Sequence, residues 1–153
     1  MSYAENTDVP VERSRMEIER TVRRYGASGF ISGWQGSQAF VAFELRDRRV
    51  KFTLPLPAVD EKRFCEKKRY SHVAPTSPEE RLKLWEQACR QRWRALSLAV
   101  KAKLEAVDSG IATFEEEFLA YICLPDGETV GQKVLPGVNA IYSTGAMRPL
   151  LPA

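Results

Sequence analysis

The sequence is poor in the residues that carry most catalytic and metal chemistry. It has one histidine, His72, and three cysteines in 153 residues. It contains no H-x-x-x-H, HExxH or CxxC spacing, no Walker phosphate loop, and no G-x-G-x-x-G after a predicted strand. Cys65, Cys89 and Cys123 are too far apart and odd in number for a disulfide framework or a zinc site. We therefore expect no catalytic residues, no bound metal and no cofactor.

Long apolar runs are also missing. No stretch approaches the roughly 18 apolar residues of a membrane-spanning helix, and the first residues, MSYAENTDVPVERSR, do not have the pattern of a secretory signal. The composition is 44% hydrophobic, 28% charged and 10% aromatic, which is typical of a globular protein. We expect a cytoplasmic protein of one domain over 1–153, with a flexible lead-in at 1–8.

The strongest pattern that is present is a long helix from Ser77 to Gly110. Ser77 and Glu80 form a capping box, Pro78 fits the first helical position, and Gly110 supplies a stop. One apolar stripe of this helix consists of Leu82, Trp85, Cys89, Trp93, Leu96, Val100, Leu104 and Val107. A second stripe of mostly small residues consists of Leu84, Ala88, Ala95, Ala99, Ala102 and Ala106. Two apolar stripes predict a core helix that is contacted on two sides.

The other elements are shorter. The sequence predicts an amphipathic helix over 10–25, and then strands over 29–34, 38–45 and 49–54 with short turns. It next predicts an exposed basic loop over 58–76. A second capping box, Thr113 with Glu116, starts a short helix that extends to Cys123, and a helical pattern over 130–142 is interrupted at Pro136 and Gly137. The predicted fold is α+β: an N-terminal helix, a three-stranded antiparallel meander, a long core helix and short C-terminal helices.

The charge is unevenly distributed. The net charge is +3, but residues 62–103 carry twelve Lys or Arg against four Asp or Glu, while residues 104–153 carry two against seven. This asymmetry indicates a surface that faces a polyanion, head-to-tail self-association, or both. A solvated basic loop without a ligand is the simpler alternative. The acidic run Glu115–Glu117 is most simply the first turn of a helix, and a divalent-ion site is the less favoured interpretation.

Basic residues of the second hairpin, the loop and the long helix are the candidate binding site, because arrays of cations bind phosphates and exposed aromatics stack on bases. If the sheet covers the helix, we expect the hairpin and the loop to form one continuous basic rim. The candidate nucleic-acid-binding residues are Arg46, Arg48, Arg49, Lys51, Lys62, Arg63, Lys67, Lys68, Arg69, Tyr70, Arg90 and Arg94. Trp34, Phe64 and Tyr70 are candidates for stacking, although a core position is the favoured interpretation for Trp34.

Several segments carry a resemblance. They are RYGASGF-x-x-GW over 24–34, WEQACRQRWRAL over 85–96, KAKLEAV over 101–107, FE-x-EFLA over 114–120 and LPDG-x-TVG over 124–131. Together they resemble a group of small uncharacterised proteins encoded by tailed bacteriophages and prophages. The resemblance implies a phage or prophage origin and a bacterial cytoplasm, but no activity. The order of elements is also that of double-stranded RNA-binding domains, and phage annealing proteins contain a β-β-β-α core. Neither motif set is present, so this is an analogy of fold.

From these observations we expect a non-enzymatic phage accessory protein that binds nucleic acid. The preferred ligand is single-stranded DNA or RNA, and the setting is recombination, replication or their control. The alternative is an interaction protein that binds a host factor or sequesters an anionic nucleotide to counter defence. Self-association through the alanine-rich helix face, or through the basic and acidic surfaces, is a further expectation.

Overall fold

The computed structural model describes residues 4–151 and confirms the predicted α+β fold. An N-terminal helix precedes a three-stranded antiparallel sheet, and a long helix and short C-terminal helices follow. The elements are α1 (Val11–Arg24), β1 (Gly29–Gln35), β2 (Gln38–Leu45), β3 (Arg48–Pro55), α2 (Lys62–Cys65), β4 (Glu66–Arg69), β5 (His72–Pro75), α3 (Pro78–Asp108), α4 (Phe114–Phe118), a 3-10 helix (Leu119–Tyr121) and α5 (Val130–Thr144).

The long helix α3 begins and ends where the capping pattern predicts. The Ser77 hydroxyl accepts a hydrogen bond from the Glu80 amide at 3.1 Å, and the Glu80 carboxylate accepts one from the Ser77 amide at 3.0 Å. The helix ends at Asp108, and Gly110 has φ +80°, a conformation that glycine adopts without a steric penalty. Local sequence therefore sets both ends of this 31-residue helix.

The sheet has the order β1-β2-β3, with β2 in the centre. Its inner face is formed by alternate residues of β2 and β3 and packs against α1, α3 and α4. Phe43, Phe52 and Phe118 contact one another, with ring centroids 6.1–6.4 Å apart, and Phe114 packs on Phe118 at 5.0 Å. The buried core consists of Ile18, Val22, Ala39, Val41, Phe43, Leu45, Val50, Phe52, Trp93, Leu96, Val100, Leu104, Phe114 and Phe118.

The outer face of the sheet carries no packed helix in the described part of the chain. Beyond the edge of β3, the Cys123 amide donates to the Arg49 carbonyl at 2.8 Å, and Val50 pairs with Ile122. The short C-terminal helix was predicted to extend to Cys123, but the regular turns end at Tyr121. The chain leaves the helix there because its backbone pairs with β3 instead.

The segment 58–76 has more regular structure than the exposed basic loop that the sequence predicts. It contains the short helix α2 and the two-stranded hairpin of β4 and β5. The residues of β4 are all charged, so this strand lacks the alternation of apolar and polar residues by which a strand is predicted. Pairing is nevertheless possible because the Thr76 amide donates to the Cys65 carbonyl and closes the segment on itself.

The helix α5 is continuous, although the sequence predicts an interruption at Pro136 and Gly137. A capping box of Thr129 and Gln132 starts it, and Gly145 ends it. Pro136 removes one amide donor near the exposed start of the helix, where water can satisfy the freed carbonyl. Gly137 lies against the backbone of Leu150, so the C-terminal tail packs on this helix without regular structure.

Two burial predictions for the long helix were wrong. Ala95, Ala99 and Ala102 are exposed, although Ala88 is buried and Ala106 is half-buried. Within residues 4–151, the middle of the predicted alanine-rich stripe is therefore uncovered. Trp93 is buried in the core as predicted, but Trp85 is half-buried at the surface, where its indole donates to the Pro57 carbonyl at 2.7 Å. Apolar periodicity alone does not distinguish one covered stripe from two.

Residues 4–8, which belong to the predicted flexible lead-in, contact α3. Ala4 is buried, and the Gln87 side-chain amide donates to the carbonyls of Glu5 and Thr7 at 3.2 and 2.8 Å. Residues 1–3 of that predicted lead-in lie outside the described residues. The N-terminal segment is thus held on α3 by a polar contact that hydropathy patterning does not reveal.

Candidate functional site

The hairpin of β4 and β5 is anchored to the start of α3. Phe64 of α2 is 4% exposed and Thr76 is 6% exposed. The Thr76 hydroxyl donates to the Phe64 carbonyl at 2.6 Å, so a buried polar pair closes the base of the hairpin. The strands between these residues therefore project from a fixed point.

Lys67 belongs to this anchor and not to the free basic surface. Its amine donates to both carboxylate oxygens of Glu80 at 2.6 and 2.7 Å, and its side chain is 29% exposed. The hydrogen bond from Lys67, with a second from the Ser77 amide, holds the pKa of Glu80 below its ordinary value. One carboxylate therefore links the hairpin to the helix cap.

The tip of the hairpin carries three of the predicted binding residues without a competing partner. Within residues 4–151, Lys68 and Arg69 form no ion pair, and Tyr70 is fully exposed. Arg69 pairs with His72 across a two-residue turn. The hairpin tip, Lys68–His72, thus presents two cations, a phenol ring and an imidazole to solvent.

Tyr70 also has an unusual backbone conformation. Its φ is +52°, in the left-handed region. At the first position of a two-residue hairpin turn, this region is normally occupied by glycine. A bulky residue there costs on the order of 1 kcal/mol. Residues with strained backbone conformations cluster at functional sites, so we regard Tyr70 as a candidate contact residue.

The two basic residues of α2 are partly neutralised. Arg63 donates to Glu61 at 2.8 Å, and its guanidinium lies 4.5 Å from the Phe64 ring centroid. Lys62 approaches Glu66 at 3.9 Å. Phe64, a predicted stacking residue, is buried. We therefore place α2 in the support of the hairpin and not in its contact surface.

A second group of predicted residues surrounds a groove on the outer face of the sheet. The groove has a volume of about 920 Å³ and is bounded by the β2–β3 turn and by residues 123–127. Arg49 donates to Glu44 at 3.0 Å, and the Lys51 amine lies 5.4 Å from the Phe40 ring centroid. Arg48 also lines the groove. Cations thus stand beside an apolar floor in this second site.

Arg46 lies in the adjoining turn but does not line the groove. Its guanidinium is 5.8 Å from the Phe114 ring centroid. Arg46 and Asp47 have φ values of +50° and +59°, which defines a turn that matches the twist of the paired strands. The contact with Phe114 helps to hold this strained turn against the core.

Arg90 and Arg94 do not belong to a free basic strip. Arg94 forms an ion pair with Glu17 of α1. Arg90 donates to the Gln87 side chain at 2.6 and 3.0 Å, and Gln87 in turn holds the N-terminal segment. Both arginines are half-buried. Arg94 joins α1 to α3, whereas Arg90 supports Gln87 on α3 itself.

The predicted continuous basic rim is absent from the described structure. The hairpin of β4 and β5 attaches to α3 at Glu80, whereas the other end of α3 is tied near the sheet by the Tyr25 hydroxyl, which donates to Glu105 at 2.5 Å. At ~1.5 Å of rise per residue, these two points on α3 are roughly 37 Å apart. The charges of the hairpin tip and of the β2–β3 turn therefore form two separate surfaces.

The carboxylates and thiols of residues 4–151 are the groups that could bind a metal ion or act as nucleophiles. Residues 4–151 contain no group of three His, Cys, Asp or Glu side chains that is placed to hold a metal ion. Glu116 caps α4 and Glu117 accepts from Lys103 at 3.2 Å. Burial raises the pKa of both the Cys89 and the Cys123 thiol, which disfavours the reactive thiolate.

No helix in the described part of the chain is long and apolar enough to span a membrane.

Three features of these surfaces were missed by sequence reasoning. Trp34, favoured as a core residue, is 76% exposed. Phe40 lies on the groove floor, where its ring is 3.1 Å from the position that a Cβ on Gly33 would take. His72 lies beside Tyr70 on the hairpin tip. The sequence does contain a signal for an exposed sheet face. Phe40, Ala42 and Glu44 alternate along β2, and a strand face that includes a charged residue normally meets solvent.

Comparison with known proteins gives no relative for this chain. No protein-family model, curated protein or solved structure matches it.

Proposed function

We propose that this chain is a non-enzymatic nucleic-acid-binding accessory protein whose contact site is the hairpin tip. The observation that carries the proposal is the exposed, strained Tyr70 next to Lys68 and Arg69, which form no ion pair within residues 4–151. Lys68 and Arg69 capture backbone phosphates, and the Tyr70 ring stacks on one base. Stacking on a ring requires an unpaired base, so the preferred ligand is single-stranded DNA or RNA.

The resemblance in sequence supports a biological setting for this activity. A small phage or prophage protein in the bacterial cytoplasm would meet single strands during recombination, replication or their control. A single tip with two phosphate contacts binds weakly, in the range of roughly 10⁻⁴–10⁻⁶ M that is typical of non-specific complexes.

The proposal is tested by fluorescence anisotropy with a labelled oligothymidine of about 20 nucleotides, a matching oligouridine and a duplex. The double reversal K68E/R69E should abolish binding to both single strands. The control R20E/R24E makes the same charge change at exposed positions of α1 and should retain binding. Equal losses in both variants would show that only net charge matters, and no binding by the wild type would refute the proposal.

Tyr70 allows stability and binding to be separated. Tyr70→Gly should keep or raise the melting temperature, because glycine relieves the strained φ. The same variant should weaken binding to single strands by about 5- to 150-fold, which is the usual effect of losing one stacked base. Tyr70→Phe should bind as the wild type does. Unchanged affinity in Y70G would remove the stacking step from the mechanism.

A second candidate function is the sequestration of an anionic nucleotide in the groove. It is favoured by one observation, namely that Arg48, Arg49 and Lys51 line a cavity with an aromatic floor at Phe40. The volume of about 920 Å³ falls within the range of small-molecule sites. In this mechanism the cations bind phosphate, and the base lies on the apolar part of the sheet.

Calorimetric titration with ATP distinguishes the two candidates. Groove binding predicts saturable heat that R48A/K51A removes and that K68E/R69E leaves unchanged. Heat that follows the hairpin variants, or no heat at all, would contradict the groove as a nucleotide site. Copurification of one host protein with the wild-type chain would instead favour an interaction protein.

A further inference from the structure

The strand β1 forms an edge of the sheet. It pairs with β2, and among residues 4–151 no other strand pairs with it. A two-residue turn joins Gln35 to Gln38, and these two residues form a hydrogen-bonded pair. Every second residue of β1, counted back from Gln35, is therefore also in a hydrogen-bonded pair with β2. The intervening residues Phe30, Ser32 and Trp34 therefore direct their amides and carbonyls away from the sheet.

The strand β1 itself lacks the sequence features that usually protect an edge. Exposed edge strands normally carry lysine, proline or a bulge that prevents pairing with another chain. The strand β1, GFISGWQ, contains no charge and no proline, and its register with β2 is regular over all seven residues. Residues 26–43 together contain no charged side chain, in a protein that is 28% charged.

Large apolar side chains flank the same edge. Ile31 is 65% exposed on the outer face of the sheet, and Trp34 is 76% exposed at the end of the strand. Neither is used by the hairpin tip. A solvent-exposed tryptophan beside unpaired backbone groups is typical of a surface that a partner covers.

We propose that β1 is a homodimer interface, in which β1 of a second copy of this chain pairs antiparallel with it. The pairing is centred on Ser32 of both copies, so that the two sheets become one of six strands. In this register Phe30 faces the partner's Trp34, and Ile31 faces the partner's Gly33. All three outward-directed residues of each strand then gain a backbone partner.

A second copy fits this edge for two reasons. An uncharged strand meets itself without placing like charges opposite one another. The sequence around Ser32 is also self-complementary under a two-fold axis. It places the Phe30 ring opposite the partner's Trp34 ring, and Ile31 opposite the partner's Gly33. One strand pair buries less than about 1,200 Å², which is typical of weak, concentration-dependent association. The proposal does not depend on nucleic-acid binding.

Sedimentation of the full chain over a range of concentrations tests the interface. The wild type should move from monomer to dimer at high micromolar concentration and should not grow further. Trp34→Lys should raise the dimer dissociation constant at least tenfold, because lysine on an edge opposes pairing. The matched control Tyr142→Lys changes an aromatic that is 86% exposed on α5 and should dimerise normally.

Cross-linking tests the register. In a hydrogen-bonded antiparallel pair, the Cα atoms lie ~5.5 Å apart, which is within the range for a disulfide. In a C65S background, oxidation should therefore link S32C chains to each other efficiently. I31C chains should link poorly, because each Ile31 faces the partner's Gly33 and not its own counterpart.

Three outcomes would overturn the proposal. One is a wild-type chain that stays monomeric at the highest soluble concentration, and another is growth beyond the dimer without limit. The third is a dimer that W34K leaves intact. In that case, dissociation by Y142K would place the interface on α5, and dissociation by Ala99→Glu would place it on the alanine-rich face of α3.

Discussion

The anchor of the hairpin at Thr76 yields a quantitative test of its rigidity. Thr76→Val keeps the shape of the side chain but removes the hydroxyl that donates to the Phe64 carbonyl at 2.6 Å. The lost hydrogen bond and the unpaired buried carbonyl together cost ~1–3 kcal/mol, and the more apolar valine offsets part of this. We expect the free energy of unfolding to fall by about 1–2 kcal/mol.

Urea denaturation followed by tryptophan fluorescence measures this change. In thermal melts, a loss of that size should lower the melting temperature by roughly 2–8 °C in a domain of this length. Thr76→Ser keeps the donor hydroxyl and should lower the free energy of unfolding by about 0.8 kcal/mol, because it loses one buried methyl group. Thr76→Ala loses the hydroxyl and the methyl group and should be less stable than T76S. If T76V is as stable as the wild type, the Thr76 hydroxyl does not anchor the hairpin.

Three further predictions concern stability. Ser14→Ala should raise the free energy of unfolding by about 1 kcal/mol in thermal melts, because the buried Ser14 hydroxyl has no partner within residues 4–151; a loss would show that it is satisfied. Gly131→Ala should lower stability by about 1–3 kcal/mol despite alanine's helix preference, since its Cβ would lie 2.8 Å from the Ala120 carbonyl oxygen; a more stable variant would contradict this close approach. The pKa of Glu80 is lowered mainly by Lys67, so this carboxylate contributes stability above its unfolded pKa and loses it as the pH falls through the lower folded pKa. Melting temperatures between about pH 5 and 2 should therefore fall less in Glu80→Gln than in the wild type, and parallel curves would refute the link.

Much of the fold was predictable because it follows from local signals. The capping boxes at Ser77 and Thr113 and the alternation in β2 and β3 all have short-range causes. From Cys89 to Leu104 the predicted apolar stripe identified the core face of α3, whereas Leu82 at its start is exposed. These features depend on neighbouring residues along one element, so the sequence alone reveals them.

The arrangement of the candidate site was less predictable, because it depends on contacts between distant segments. Nothing in the sequence distinguishes Lys67 and Arg94 from Lys68, because all three are basic residues of the basic segment 62–103. In the structure, however, Lys67 and Arg94 each pair with a carboxylate from another element. Trp34 has the pattern of a core residue but is 76% exposed near the end of the edge strand β1. Whether a charge is free or an aromatic is covered is decided by tertiary packing, which periodicity does not encode.

Salt dependence of single-strand binding tests the central claim most directly. The logarithm of the association constant falls with the logarithm of salt concentration by ~0.7 per neutralised phosphate on a single strand. If Lys68 and Arg69 each contact one phosphate, the slope for K68Q/R69Q should be shallower than that of the wild type by about 1.4. The control R20Q/R24Q should follow the wild type. Parallel slopes for K68Q/R69Q and the wild type would contradict phosphate capture by the hairpin tip.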